Sequence, residues 1–286
     1  LLNLFMTLIN PGENILLPEP YFPLYGPDAT LVGGESKYYP CLFENEFIPK
    51  ISDLESLVDD KTVAILYNFP SNPTGGTLDE NQRDDLLEFA KKHDLWIISD
   101  EVYDRIVFEE EHVSFMGTGY DKVMVVNSFS KTFAMTGWRI GYIISTNLEA
   151  MKQVIKIQYY ISACSNDAMQ YAVLEAIEEA NDYPSIMAEE FKQRCNLIVE
   201  RLNAMPGVQC HKPKGAIYVF PKVSVPNMTS EEVALELLKD GVLCSPGSAF
   251  GPSGEGHLRF AYTISQEDIS RGMDKVESTL NRLNSQ

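Results

Sequence analysis

Val123-Met124-Val125-Val126-Asn127-Ser128-Phe129-Ser130-Lys131 runs from an apolar, β-branched tetrad straight into a hydroxyl-rich turn, and Thr136-Gly137-Trp138-Arg139-Ile140-Gly141-Tyr142 follows closely. One lysine, two serines and one arginine therefore fall in a single turn-rich segment leaving a predicted strand. An unprotonated lysine amine is a good carbonyl nucleophile, so a lysine placed there invites an imine. The serine hydroxyls and the guanidinium supply hydrogen-bond donors and fixed positive charge, which a phosphate monoester needs.

Working upstream, Ser71-Asn72-Pro73-Thr74-Gly75 follows the apolar run Thr62-Val63-Ala64-Ile65-Leu66-Tyr67, and Asp100-Glu101-Val102-Tyr103 follows Leu95-Trp96-Ile97-Ile98. Each polar group sits at the carboxyl end of a predicted strand, where open α/β sheets place their ligands. A lysine, a phosphate-type donor set and a carboxylate suit pyridoxal 5'-phosphate, because a negative charge against the pyridine nitrogen keeps it protonated and able to accept electrons. Asp100 is placed for that role, and Asn72 and Tyr103 for hydrogen bonds to the ring oxygen. Taken singly, each has a plainer reading: Asn72-Pro73 as a turn, Asp100 as a helix cap, Tyr103 as packing.

The ordered set Ser71-Asn72-Pro73-Thr74-Gly75, Asp100-x-x-Tyr103, Ser128-x-Ser130-Lys131 and Arg139-x-Gly141 resembles the class I/II, fold-type I pyridoxal-phosphate aminotransferases, and within them the aspartate and aromatic branch. The resemblance runs from the first residue to the last few. It implies an α/β fold, with a mostly parallel sheet sandwiched by helices as a large cofactor-binding domain (1–188) and a smaller C-terminal α+β domain (189–286). It implies that Lys131 carries the cofactor as a Schiff base and acts as general base and acid, that Asp100 holds the pyridine nitrogen, and that Asn72 and Tyr103 bind the ring oxygen. Ser128, Ser130 and Arg139 would hold the phosphate, and Phe22, in Pro20-Tyr21-Phe22-Pro23, would stack on the ring, with Tyr21 a close competitor.

Near the other end, Arg259 lies in Gly256-His257-Leu258-Arg259-Phe260-Ala261 and resembles the family arginine that grips the substrate α-carboxylate bidentately. The implied reaction is a two-stage, ping-pong transfer of an amino group from an L-amino acid to a 2-oxo acid such as 2-oxoglutarate, within amino-acid metabolism. Aspartate or a broad range is the expected donor. Ile157-Gln158-Tyr159-Tyr160-Ile161-Ser162 holds no arginine where some dicarboxylate-specific relatives present one, and its tyrosines would equally suit aromatic substrates. The same lysine and fold also serve C-S β-lyases, and aminotransferase-like domains act as ligand sensors in transcription regulators; both stand as alternatives.

Across 286 residues, 41 acidic side chains against 23 basic give a net charge of −18, which argues against nucleic-acid or anionic-membrane partners. Five scattered cysteines without a Cys-x-x-Cys suggest reduced thiols in a cytoplasm, and the four histidines show no metal-ligand spacing. A homodimer is expected by resemblance.

Capping boxes at Thr77-x-x-Glu80 and Thr229-x-x-Glu232, with the looser Ser265-x-x-Asp268, mark helix starts. The first predicts a helix burying Leu86, Leu87, Phe89 and Ala90. A long helix with Met187, Phe191, Cys195, Ile198 and Leu202 on one side follows Tyr183-Pro184, and strands are expected at Val208 to Cys210 and Ala216 to Val219. Leu1 to Phe5 resembles the helix that follows the family's glycine- and hydroxyl-rich phosphate loop. The expectation is therefore of a longer parent chain carrying that loop, with phosphate binding weakened without it.

Overall fold

The strands are β1 (Asn14–Glu19), β2 (Glu35–Pro40), β3 (Thr62–Asn68), β4 (Trp96–Asp100), β5 (Val123–Ser128) and β6 (Gly141–Ile144). In a computed structural model describing residues 1–109 and 111–285, they form one sheet in the order β2-β1-β3-β4-β5-β6. All neighbours are parallel except β5 and β6, which run antiparallel. This is the mostly parallel sheet that the resemblance implied.

Alternate residues of each strand serve opposite faces, and both faces are covered, as a parallel sheet requires. Ile65, Tyr67 and Ile97 pack with Leu54 of α3 (Ile51–Leu57) and Leu86 and Phe89 of α4 (Glu80–Lys92). Ala64, Leu66 and Ile98 pack instead with α1 (Leu2–Leu8), α2 (Tyr25–Leu31) and Val154 of α6 (Leu148–Ser162). Each fully buried Leu or Ile contributes about 1.5–3 kcal/mol.

The face expected of α4 is found, with Leu86, Leu87, Phe89 and Ala90 buried. Its start is two residues later than expected. Asp79, not Thr77, is the N-cap, and the reciprocal bonds run between Asp79 and Gln82. Leu78 is 4% exposed, so the chain stays extended through Thr77 to bury it before the helix opens. The boxes at Thr229 and Ser265 do cap their helices, α9 (Ser230–Lys239) and α10 (Gln266–Asn284).

After α5 (Phe129–Thr132), α6 and α7 (Asp167–Glu179), the long α8 (Tyr183–Asn203) runs unbroken through position 188. The C-terminal part has two small sheets. One pairs β7 (Val208–Gln209) with β9 (Lys222–Val223); the other orders β10 (Ser245–Pro246), β11 (Leu258–Ala261) and β8 (Tyr218–Val219). Cys195, Ile198 and Leu202 of α8 pack in one core with Met273 and Val276 of α10, and this core takes in Tyr103, Ile106 and Phe108 from the segment after β4. Tyr103 thus stands where the large sheet meets the C-terminal sheets.

Candidate active site

Parallel register sets Asn68, the last residue of β3, opposite Asp100, the last of β4. Asn68 Nδ2 donates to the Asp100 carbonyl at 3.1 Å, while its Oδ1 accepts the Asn72 backbone N–H at 2.9 Å. One buried amide therefore fastens two candidate segments together. The loop Ser71 to Gly75 then passes against the C-terminal part. Gly75 has φ +73°, and a Cβ there would meet Pro213 Cβ at 2.5 Å and the Tyr218 carbonyl at 3.0 Å, so a side chain is excluded on both counts.

Asp100 is 5% exposed, and Tyr25 Oη, from α2, donates to its Oδ2 at 2.8 Å. Burial raises the Asp100 carboxyl above the ordinary carboxylate range, opposed by the Tyr25 hydrogen bond and the Val102 N–H. The adjoining Glu101 faces elsewhere. Ser99 Oγ at 2.7 Å, Ser114 Oγ at 3.0 Å and the Phe115 N–H at 3.3 Å donate to its Oε1, and His112 Nε2 lies 2.8 Å from its Oε2. Burial would raise this carboxyl, but those partners, led by His112, hold it below its usual value.

Arg259, on β11, donates from Nη1 to Asn72 Oδ1 at 3.0 Å and from Nη2 to Ser245 Oγ at 3.1 Å. Its guanidinium lies over the Tyr218 ring at 4.5 Å and the Phe250 ring at 4.7 Å. Its Nε is buried and has no hydrogen-bond partner among the described residues. Tyr103 Oη donates to Tyr218 Oη at 3.2 Å, and Lys131 Nζ stands 5.5 Å from the Tyr103 ring centroid. Lys131 and Arg259 open onto one cleft of about 710 Å³, shared with Tyr218, Met187 and Phe191.

The remaining candidates lie around this centre without all converging. Ser128 pairs in register with Gly141, which brings the Arg139 turn beside the start of α5. Arg139 itself is exposed, has φ +55°, and donates from Nη1 to the Thr136 carbonyl at 2.7 Å; Thr136 Oγ1 in turn donates to the Ser130 carbonyl at 2.9 Å. Phe22 packs edge-on at 5.6 Å against Tyr25, the residue that donates to Asp100, whereas Tyr21 packs against Tyr38 at 4.9 Å.

The family model for aminotransferase class I and II matches residues 1–276. The chain belongs to the class I and II aminotransferases. It is 37% identical over 280 residues to the aspartate aminotransferase of Pyrococcus abyssi, covering 96% of this chain and 72% of that one. Against aromatic-amino-acid aminotransferase 2 of Thermococcus litoralis it is 35% identical, with the same coverage. The solved aromatic aminotransferase of Pyrococcus horikoshii superposes with a TM-score of 0.93 at 35% identity, over 98% of this chain and 76% of that one. The family is generally dependent on pyridoxal phosphate, and the chain is an enzyme of amino-group transfer; these relatives do not favour the lyase and sensor alternatives.

Three residues that contact the candidate site lie outside the motifs read from sequence. Tyr25, Asn68 and Tyr218 reach Asp100, Asn72 and Tyr103 only through tertiary contacts. For Asn68 a signal existed, a polar residue closing the buried strand β3. Nothing in the sequence singled out Tyr25 or Tyr218 among 14 tyrosines.

Proposed function

We propose that Lys131, Asp100, Asn72, Tyr103 and Arg259 form one site for pyridoxal 5'-phosphate and an α-amino acid, which the enzyme transaminates with a 2-oxo acid such as 2-oxoglutarate. The observation that carries this is the shared cleft: Lys131 and Arg259 face the same space, and Arg259 bonds directly to Asn72. The donor set fits the cofactor. A buried carboxylate at Asp100 suits a ring nitrogen, the Tyr103 phenol and Asn72 amide suit a ring oxygen, and the Lys131 amine stands over Tyr103 to receive an aldehyde carbon. Ser128, Ser130 and Arg139 would hold the phosphate and Phe22 would lie on the ring.

When bound, the cofactor supplies a conjugated ring that takes up the electron pair left as Cα loses its proton. The protein's part is positioning and proton transfer. Arg259 would grip the α-carboxylate, the planar fork of its guanidinium favouring a planar anion. That grip fixes Cα relative to Lys131, whose Nζ would take the Cα proton and return it elsewhere on the reacting system. Asp100, held by Tyr25, would keep negative charge against the ring nitrogen, and Tyr103 would donate to the ring oxygen.

Aspartate or a broad range is the proposed donor. Aromatic donors gain support from the cleft wall, where Ile106, Ile186, Met187, Phe191 and Ile217 are apolar and Arg194 is held by Glu190 at 2.7 Å. A single-turnover comparison of aspartate and phenylalanine, without any 2-oxo acid, tests this: conversion of the cofactor to its amine form by neither would overturn the reading.

We further propose a cytoplasmic homodimer, with no nucleic acid or membrane as partner. α6 and α7 each bury one residue, Val154 and Val173, and leave Ile155, Tyr160, Tyr171 and Leu174 exposed, which supports a second copy covering them. The five free thiols and the acidic surface are consistent with that setting. Among the described residues no helix is long and apolar enough to cross a membrane. Sedimentation showing only monomer would remove the dimer.

A further inference from the structure

Tyr218 is 8% exposed and sits on β8 opposite Ala261 of β11, so its side chain shares a face with Arg259, two residues back along the same strand. Its ring lies under the guanidinium at 4.5 Å, and its hydroxyl meets that of Tyr103 at 3.2 Å, the two rings edge to face with centroids 6.0 Å apart. One side chain therefore touches both the arginine of the C-terminal part and the tyrosine of the large sheet.

We propose that Tyr218 is a positioning residue for both halves of the reaction site: its ring orients Arg259 for the substrate carboxylate, and its hydroxyl makes Tyr103 a stronger donor to the ring oxygen of the cofactor. This rests on the roles proposed above for Arg259 and Tyr103.

The physical basis is a chain of two phenols. Hydroxyl protons rotate to suit their partners, so when Tyr103 donates to an oxygen on the site side, Tyr218 donates to Tyr103 instead of accepting from it. A phenol that accepts one hydrogen bond donates the next more strongly. Both tyrosines are buried, and the charged or titratable groups facing Tyr103 among the described residues are Tyr218, Asp100, Arg259, Tyr25 and Tyr262, with Lys131 over its ring. Separately, a flat aromatic face restricts the guanidinium to the plane in which two N–H groups can meet a carboxylate. Tyr218→Phe removes the first effect and keeps the second; Tyr218→Leu removes both.

The test uses the holoenzyme and two readouts other than turnover. The first is the pH midpoint of the bound cofactor's visible absorbance. A hydrogen bond to the ring oxygen favours its anionic form and draws electron density from the conjugated nitrogen, so losing it raises the midpoint. Tyr218→Phe is expected to raise the midpoint by about half a pH unit. Tyr103→Phe should raise it further, and the double variant should match Tyr103→Phe alone. The second readout is the affinity for 3-phenylpropionate, a carboxylate lacking an amino group. Tyr218→Phe should leave it within about twofold, and Tyr218→Leu should weaken it about fivefold.

A Tyr218→Phe midpoint equal to that of the unaltered enzyme, or shifts that add in the double variant, would overturn the proposal. If Tyr103→Phe itself leaves the midpoint in place, the role of Tyr103 fails and this inference with it, a result distinct from failure at Tyr218 alone. Should the leucine variant not fold, the phenylalanine series still decides.

Discussion

Tyr25 donates from its hydroxyl to Asp100 Oδ2 at 2.8 Å, with both side chains nearly sealed from solvent. Burial works against the carboxylate's charge, and this hydrogen bond works for it. A hydrogen bond to a charged group is worth roughly 1.5–3 kcal/mol. Tyr25→Phe keeps the ring and removes only that donor. Amino-group transfer in this variant is expected to slow by about tenfold or more, as each 1.4 kcal/mol is tenfold in rate. Stopped-flow single turnovers would measure it, and an unchanged rate would remove Tyr25 from its place behind Asp100.

Asn68 joins β3, the Asp100 carbonyl and the Asn72 N–H through one buried amide. Replacing it by alanine leaves a buried backbone donor and acceptor unpaired, at about 1–3 kcal/mol each. Urea unfolding of Asn68→Ala should show a loss of roughly 2–4 kcal/mol. A loss below half a kcal/mol would mean that water or a shifted loop replaces both bonds.

Arg259 combines donated bonds to Asn72 and Ser245 with a planar, forked guanidinium, a geometry lysine cannot copy. For Arg259→Lys, kcat/KM with amino acids should fall about tenfold or more, mostly through KM, because a uniformly used binding contact is lost. Amines lacking a carboxylate provide the control. If they lose as much, the arginine is not reading the carboxylate.

The motif residues were legible in the sequence because each ends or follows a short apolar run, and parallel strands bring such ends together whatever the intervening helices contain. Asp100, Asn72, Tyr103 and Lys131 follow that logic, whereas Arg259 lies inside the antiparallel strand β11 and was read from its likeness to the family's carboxylate-binding arginine. Tyr25, Asn68 and Tyr218 do not follow it, since what matters about them is a hydroxyl or amide meeting a residue from another element. Glu101 was hidden for a related reason: its partner His112 lies eleven residues away in an irregular loop. The start of α4 was misplaced because two capping patterns overlap, Thr77-x-x-Glu80 and Asp79-x-x-Gln82, and burial of Leu78 chooses between them. Arg139, proposed for the phosphate, donates from Nη1 to the Thr136 carbonyl of its own turn.

His257 offers a pH test of the junction between the two parts. It stacks on Phe220 at 4.9 Å and 7°, packs near Phe43 and Phe47, and its buried Nε2 has no partner among the described residues. Burial lowers its pKa from 6.5, with Lys222 adding to this and the Glu255 carbonyl and Glu44 opposing it. As pH falls below 6.5 the unfolded chain binds this proton while the folded one does not, so stability falls with acidification. His257→Phe, which cannot take the proton, should show a shallower decline of Tm between about pH 7 and 5. An identical decline would assign the acid loss to other groups.

The central claim is that Lys131 holds the cofactor within reach of Arg259. Borohydride reduction of the protein incubated with pyridoxal phosphate, followed by peptide mass mapping, locates the attachment directly. The predicted result is a single adduct on the peptide containing Lys131, absent from Lys131→Ala. A dominant adduct on another lysine, or equal labelling of the Lys131→Ala protein, would contradict it.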